Sequence, residues 1–442
     1  MRRSLERFFG FPDRGARWRD EFAGGLTTFL TMAYIILIQP AILSQAGMDF
    51  GAVMAATCVS AALATAIMGV WANYPIALAP GMGENFFFVF GAVIATGMAW
   101  PDALSAVFYA SVIFVVLSIG PVRRVVLEAI PDVMKSATGI GVGIFIAFMG
   151  FANAGIVKNN PAGLVQLGDL SSPAVLLALA GVAVTAILIA RRIPGAVFWG
   201  MLLTALGGLV LGLVHLDGVM AAPPSLAPTL GKLTWTPRIS APFLSAVFVF
   251  LFMAVVDATG TLAALGKRAG YIVGGKFPRV SRAFAADALG GVGGAVLGTS
   301  TVTAYIESAT GIMAGAKTGV AALVTAALFL LSLFFSPLVK AIAGGVAVRG
   351  GVLHPITAPA LIIVGALMAQ LAREIPWDDL TEAIPAFLVS VGIPLTFSIS
   401  DGLTLGFVSY PLIKVATGRG RQVHPAMYVL AALAILRYII IA

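Results

Sequence analysis

Four carboxylates interrupt stretches of this sequence that are otherwise apolar: Glu84, Asp257, Asp287 and Glu307. None has a lysine or arginine within four residues of it. Asp257 lies in "FMAVVDATGT", with Thr259, Gly260 and Thr261 just after it. Glu307 lies in "GTSTVTAYIESATG", among Thr301, Thr303, Tyr305, Ser308 and Thr310. Hydroxyls supply donors to such acids, and glycines permit irregular backbone and close approach. An unpaired carboxylate in an apolar medium is costly, so each must face a polar cavity, find donors or take up a proton. Acids without built-in cations suit proton or cation coupling and hydrogen bonding to a polar ligand. Each also has a plainer reading as a helix–helix hydrogen bond. For Glu307 and Asp257 the functional reading is favoured. Asp287, in "AADALGG", divides between contacting a ligand and bracing the site from a neighbouring helix.

A second anomaly is "APGMGENFFFVF", residues 79–90, which combines Pro80, Gly81, Gly83, Glu84 and Asn85 with three phenylalanines. Asn85 can donate and accept. Phe86, Phe87 and Phe88 could turn a ring to a flat ligand, but a helical triplet more often packs. Cys58 is the single cysteine, and His215, His354 and His424 are scattered, so no metal or disulfide framework is legible. "IPWDDLTEAIPAF" offers Asp378 or Asp379 and Thr381 as caps for a helix at 383, and Asp401 is expected to cap the helix that begins there.

These residues sit in a chain built for lipid. It has 442 residues, 60% hydrophobic and only 10% charged, against roughly a quarter charged in a soluble domain. Mean hydropathy is +1.01. The apolar stretches are long and lack the period-two alternation of barrel strands, so helices must span the bilayer. Helices are expected near 22–45, 52–72, 77–91, 103–120, 132–154, 172–190 and 194–215, then 242–266, 282–298, 302–315, 318–338, 355–372, 383–399 and 402–417. A further apolar run covers 425–441. The segment 1–21 is a basic arm with Arg2, Arg3, Arg7, Arg14, Arg17 and Arg19, and it lacks the apolar core of a signal peptide. With the arm in the cytoplasm, most of the 27 Lys and Arg fall on the inner side. The formal charge of +8 therefore reads as membrane topology, not as nucleic-acid binding.

The halves look related. "ATCVSAALATAIMG" (56–69) resembles "AADALGGVGGAVLG" (285–298), and each precedes an interrupted segment: "NYPIALAPGMGENFFF" and "TSTVTAYIESATGI". An odd number of helices per half makes the halves inverted, and paired interrupted segments point to a transport site.

The blocks "TTFLTMAYIILIQPAIL", "NYPIALAPGMGENFFF", "VDATGT", "ADALGG", "LGTSTVTAYIESATGI", "TAPALIIVGALM", "WDDLTEAIPAF" and "PLTFSISDGLTLGFVSY" resemble, in order, the azaguanine-type purine permeases of the nucleobase/ascorbate transporter superfamily. The resemblance covers about residues 20–417. It implies an all-α polytopic fold of fourteen helices in two inverted repeats of seven, with helices 3 and 10 as half-helices preceded by short extended stretches. It implies core segments at 22–120 and 242–338, gate segments at 121–215 and 339–442, and an inter-repeat loop at 216–241. It also implies purine uptake coupled to protons, an elevator-like motion of core against gate, and a homodimer in the cell (inner) membrane, with no cofactor or metal. Residue by residue, Asp257 and Glu307 match the family's substrate carboxylates, Gly83 and Asn85 its helix-three pair, and Thr310 its helix-ten threonine. Departures fall at position 84, where an apolar residue is usual and Glu84 stands here, and on helix eight, where Ala254 and Ala258 replace an aspartate and a threonine. Glu84 and Asp287 are the remaining candidates for proton coupling or for bracing the site.

Other readings are weaker. Another nucleobase, xanthine or uracil, or a small anion could use the same fold, though two carboxylates disfavour an anion. An intramembrane aspartyl protease needs a Gly-x-Gly-Asp turn, and "GMGE" is the nearest string. A channel would differ in lacking saturation and proton-gradient dependence.

Overall fold

The computed structural model describes residues 2–119, 131–160, 163–271, 277–348 and 351–441. Expectations that fall on Arg123, Arg124, Lys276 and Arg349 lie outside the described residues. The arm forms α1 (Arg2–Phe8) and α2 (Phe11–Arg14). The first apolar stretch is two helices, α3 (Trp18–Met32) and α4 (Tyr34–Leu43), broken at Ala33. The Thr31 hydroxyl donates back to the Thr27 and Thr28 carbonyls just before that break, a competition with the helical ladder that loosens it. Next come α5 (Phe50–Ile67), prolonged as a π-helix over Met68–Ala72, and β1 (Leu78–Pro80). They are followed by α6 (Met82–Phe86), prolonged as a π-helix over Phe87–Ile94, and α7 (Trp100–Ile119). The first half ends with α8 (Asp132–Asn153), the hairpin β2 (Val157–Asn160) and β3 (Leu164–Leu167), α9 (Pro173–Ala190) and α10 (Ala196–Val210).

The second half opens in the same order. It runs α11 (Ala241–Arg268), α12 (Val280–Leu297), β4 (Val302–Ala304), α13 (Ser308–Met313), α14 (Gly319–Ser332) and α15 (Ser336–Ala343). A hairpin of β5 (Val346–Val348) and β6 (Gly351–Leu353) precedes α16 (Ala358–Met368), α17 (Leu380–Thr396), α18 (Ile399–Ala416) and α19 (Pro425–Ile441). The sequence α5–β1–α6 thus recurs as α12–β4–α13. Among the described residues eight helical stretches are long and apolar enough to cross a membrane, and 82–94, 196–210 and 380–396 are shorter apolar helices. This is the polytopic helical fold expected from the sequence.

Two expected helices are replaced at their starts. Residues 77–91 and 302–315 open as strands, because Pro80 lacks a backbone donor and Val302 and Thr303 are β-branched. Thr65 fixes the first strand: its hydroxyl accepts from Leu78 N at 2.9 Å and donates to Leu78 O at 3.0 Å. Of the residues expected as caps, Asp379 is the cap, its Oδ1 accepting from Thr381 N at 3.0 Å, and the helix begins at Leu380 with Thr381 in its first turn, not at 383. The cap expected of Asp401 belongs to Ser398, whose hydroxyl accepts from Asp401 N at 3.2 Å. A shorter hydroxyl placed one residue before the helix reaches the third amide better than a carboxylate already inside the first turn.

The helices pack in two groups. One gathers α3, α5, α7, α11, α12 and α14, and the other α8, α9, α10, α16, α17 and α18. Each group closes on a point where only a glycine pair fits. A Cβ on Gly319 would lie 1.8 Å from Gly69 O in the first, and one on Gly365 2.3 Å from Gly143 O in the second. Such contacts let helix backbones approach where lipid supplies no hydrophobic drive.

Candidate functional site

The two interrupted segments meet as one unit. β1 and β4 pair antiparallel, with Leu78 opposite Ala304, Ala79 opposite Thr303 and Pro80 opposite Val302. Gly81 N donates to Thr301 O at 2.9 Å, and Tyr305 N to Ala77 O at 3.0 Å. The Tyr305 hydroxyl donates to Pro80 O at 2.5 Å, and Ala77 N donates to the Ser308 hydroxyl at 3.0 Å. Every strand position here is buried, so these bonds satisfy backbone groups that neither water nor lipid could. The pairing sets the starts of α6 and α13 against each other in the middle of the chain's apolar mass.

Asp287 braces this crossing from α12. Its Oδ1 accepts from Ala304 N at 2.6 Å and from the Thr303 hydroxyl at 3.4 Å. Asn85 is fully buried and accepts from the Ser300 hydroxyl. Ser300 also accepts from Gln39 Nε2 at 3.2 Å, and Gln39 reaches Thr299 at 2.8 Å. Gln39 therefore ties α4 to the turn that precedes β4 and, through Ser300, to α6. Glu84 is 2% exposed, with its carboxylate folded over Gly81, where an added Cβ would lie 2.2 Å from Oε2. Its Oε1, Asn85 Nδ2 and Asp287 Oδ2 have no hydrogen-bond partner among the described residues.

The remaining candidates lie on a more accessible side. Asp257 is exposed on α11 and within electrostatic range of both Glu307 and Glu84. Glu307 is half-buried at the start of α13, where Oε1 accepts from the Tyr34 hydroxyl at 2.8 Å. The Thr310 hydroxyl donates to Glu307 O at 2.7 Å and lies 2.8 Å from the Thr31 hydroxyl. At Gly83 an added Cβ would sit 2.9 Å from Met253 Cε and 3.0 Å from Val142 Cγ1. Glycine thus lets α6 wedge between α11 of one helix group and α8 of the other. The three phenylalanines pack: Phe87 and Phe88 meet Phe250 at 4.8 and 6.4 Å between ring centroids, and Phe86 meets Phe145 at 6.0 Å.

The structure thus brings Asp257 within electrostatic range of Glu307, sets Thr310 one turn further along α13, and buries Glu84, Asn85 and Asp287. Two accessible carboxylates can accept from N–H donors of a polar ligand. Sequence reading passed over Tyr34, Gln39 and Ser300. Gln39 beside Pro40 in an apolar run was the available clue, because a buried amide in a membrane span needs partners. A cavity of about 710 Å³ opens elsewhere, lined by Asp49, His215, Asp217 and Lys340 among others, and none of the four acids lines it.

Discontinuous helices crossing at a short antiparallel pair, with acids beside the crossing, define a membrane transporter. The "Permease family" matches residues 19–405, and the chain belongs to it. It is 44% identical over 448 residues to the guanine/hypoxanthine permease PbuG of Bacillus subtilis (strain 168), covering 98% of this chain and 99% of that one. It is 40% identical over 438 residues to the adenine permease AdeP of Escherichia coli (strain K12), covering 99% and 96%. Among solved structures, the transmembrane domain of the cyanobacterial bicarbonate transporter BicA superposes with a TM-score of 0.63 at 14% identity, covering 88% of this chain and 97% of that one. That likeness concerns the fold. The family resemblance read from the sequence blocks is borne out.

Proposed function

We propose that this permease carries purine nucleobases of the hypoxanthine, guanine and adenine class across the cell (inner) membrane, with its N-terminus cytoplasmic, by proton symport. The observation that carries the reading is the full-length similarity to guanine/hypoxanthine and adenine permeases. Two accessible carboxylates beside the crossing support it, since purines present ring N–H and exocyclic amino donors. In this reading Glu307 and Asp257 hold the base, and the hydroxyls of Thr310 and Tyr34 orient it. Asp287 and Asn85 hold the half-helices, and Gly83 sets their approach to the gate. Glu84, within range of Asp257, is the coupling residue that this chain has in place of the usual apolar one. The first helix group moves as core against the second as gate, in a homodimer. A small anion on the same fold is disfavoured by the two acids.

The test is uptake of radiolabelled hypoxanthine, guanine, adenine, xanthine and uracil into purine-transport-deficient cells, with and without an uncoupler. Wild type should take up at least one purine saturably and lose that uptake with the uncoupler. Glu307→Gln should abolish uptake, and Glu84→Leu should change its pH dependence. Absence of saturable uptake with protein in the membrane sinks the proposal. Unchanged uptake and pH profile in Glu307→Gln sinks the site assignment.

A further inference from the structure

The N-terminal arm is docked on the protein and still presents an apolar and basic face. On one side it is bolted to the first helix group. The Arg14 guanidinium donates to Asn73 O and Lys317 O, both at 2.8 Å. Asn73 Nδ2 donates to Phe9 O at 2.9 Å, while its Oδ1 accepts from Gly319 N at 2.8 Å. Glu21, fully buried, accepts from Lys317 N, Thr318 N and Ala321 N at 2.9 to 3.1 Å, closing the N-terminus of α14. Phe9 and Phe11 bury against Val320. The arm is thereby a rigid extension of α3, α5 and α14.

The other side is unlike a soluble surface. Leu5 and Phe8 on α1 are 38% and 61% exposed, and Phe22 and Leu26 on α3 are 55% and 47% exposed. Phe22 and Leu26 belong to a membrane-spanning stretch, so the apolar face of α1 continues the lipid-facing stripe of the first span. A groove of about 480 Å³ opens between the two, lined by Arg2, Leu5, Trp18 and Phe22. The groove wall is fixed internally: Glu6 accepts from Trp18 Nε1 at 2.7 Å and from Arg2 Nε at 3.0 Å. Hydrogen bonds from Trp18 first, then Arg2, hold the Glu6 carboxyl below its usual range, so the acid stays ionised beside Arg2. Arg2 lines the groove, and Arg3, Arg7 and Arg19 are exposed on the two helices that form it. Apolar side chains with arginines at their border match the boundary between acyl chains and anionic headgroups.

We propose that the arm binds anionic phospholipid, with an acyl chain in the groove between α1 and α3 and the phosphate at the arginine rim. Because the arm is bolted to the first helix group, lipid binding bears on the part of the protein that the functional reading treats as mobile. The lipid site itself does not depend on that reading. Purified full-length protein is reconstituted into phosphatidylcholine vesicles containing either dibrominated phosphatidylglycerol or dibrominated phosphatidylcholine at equal bromine density. The Trp18 contribution to fluorescence is taken as wild type minus Trp18→Phe. Brominated phosphatidylglycerol should quench it at least two-fold more strongly. Arg3→Gln/Arg7→Gln/Arg19→Gln, or high salt on wild type, should remove the preference. Equal quenching by the two lipids overturns the proposal. So does loss of the preference to millimolar inorganic phosphate but not to chloride of equal ionic strength, which would assign the rim to a free anion. Should the triple variant fail to fold, the lipid swap and the salt series on protein with native arginines separate the same outcomes.

Discussion

The acids divide by what they touch. Asp287 spends one oxygen on Ala304 N, so its removal strands a buried backbone donor. Asp287→Ala should destabilise the protein by about 1–3 kcal/mol, read as a lower melting temperature in detergent, while Asp287→Asn keeps the acceptor and most of the stability. Tyr34 offers the contrasting case: its hydroxyl holds Glu307 without supporting any strand. Tyr34→Phe should leave melting nearly unchanged and raise the uptake KM roughly five- to ten-fold, the effect of losing a hydrogen bond worth about 1–1.5 kcal/mol. Equal losses of stability in Tyr34→Phe and Asp287→Ala would contradict this division. The acids themselves were legible, because a charge in an apolar run stands out from composition alone. Their division was not. Whether a carboxylate braces a strand or stays accessible depends on which backbone lies across from it, and that neighbour is distant in sequence.

Elements carry the positioning. The β1–β4 pair and the glycine contacts hold the crossing, and they tolerate little added volume. Gly319→Val would drive a side chain into the Gly69 carbonyl. It should cost about 1–3 kcal/mol or more through overpacking, measured as loss of folded, monodisperse protein. Helix α17 depends on Asp379, whose carboxyl is held below its usual 3.8 by the Thr381 hydroxyl first, then the Thr381 amide, with Arg419 adding to this. Its contribution to stability is therefore complete above the ordinary carboxylate range and lost as pH falls through the depressed value. The stability gap between wild type and Asp379→Ala should be constant near neutrality and close only below pH 3.8. Helix existence was legible from apolar run length. The strand starts at 78 and 302 were not read from pattern, because three-residue strands have no period of their own and exist only as each other's partner. The two hairpins near 157–167 and 346–353 were missed for the same reason.

At the scale of the whole molecule, two helix groups meet along α11 and α18, where the Ser245 and Ser400 hydroxyls lie 3.3 Å apart. If one group travels against the other, tying them there must stop transport. In a Cys58→Ser background, Ser245→Cys/Ser400→Cys should lose uptake on oxidation and regain it with reductant, and the single variants should not respond. Oxidised, crosslinked protein that still transports would rule out relative motion at this contact.

Composition, run length and the ordered motif blocks by themselves determined that this chain is a polytopic helical permease with two related halves. These properties follow from local hydrophobicity and spacing, which each segment carries alone. Only the tertiary structure decided which acids are buried and which stay accessible, that Gln39 and Ser300 hold Asn85, and that the arm is bolted to the first helix group. Hydrogen bonds in a water-poor interior must be satisfied by whichever groups the fold brings across from one another. Strands 78–80 and 302–304, more than two hundred residues apart in the chain, become partners only when both halves are in place.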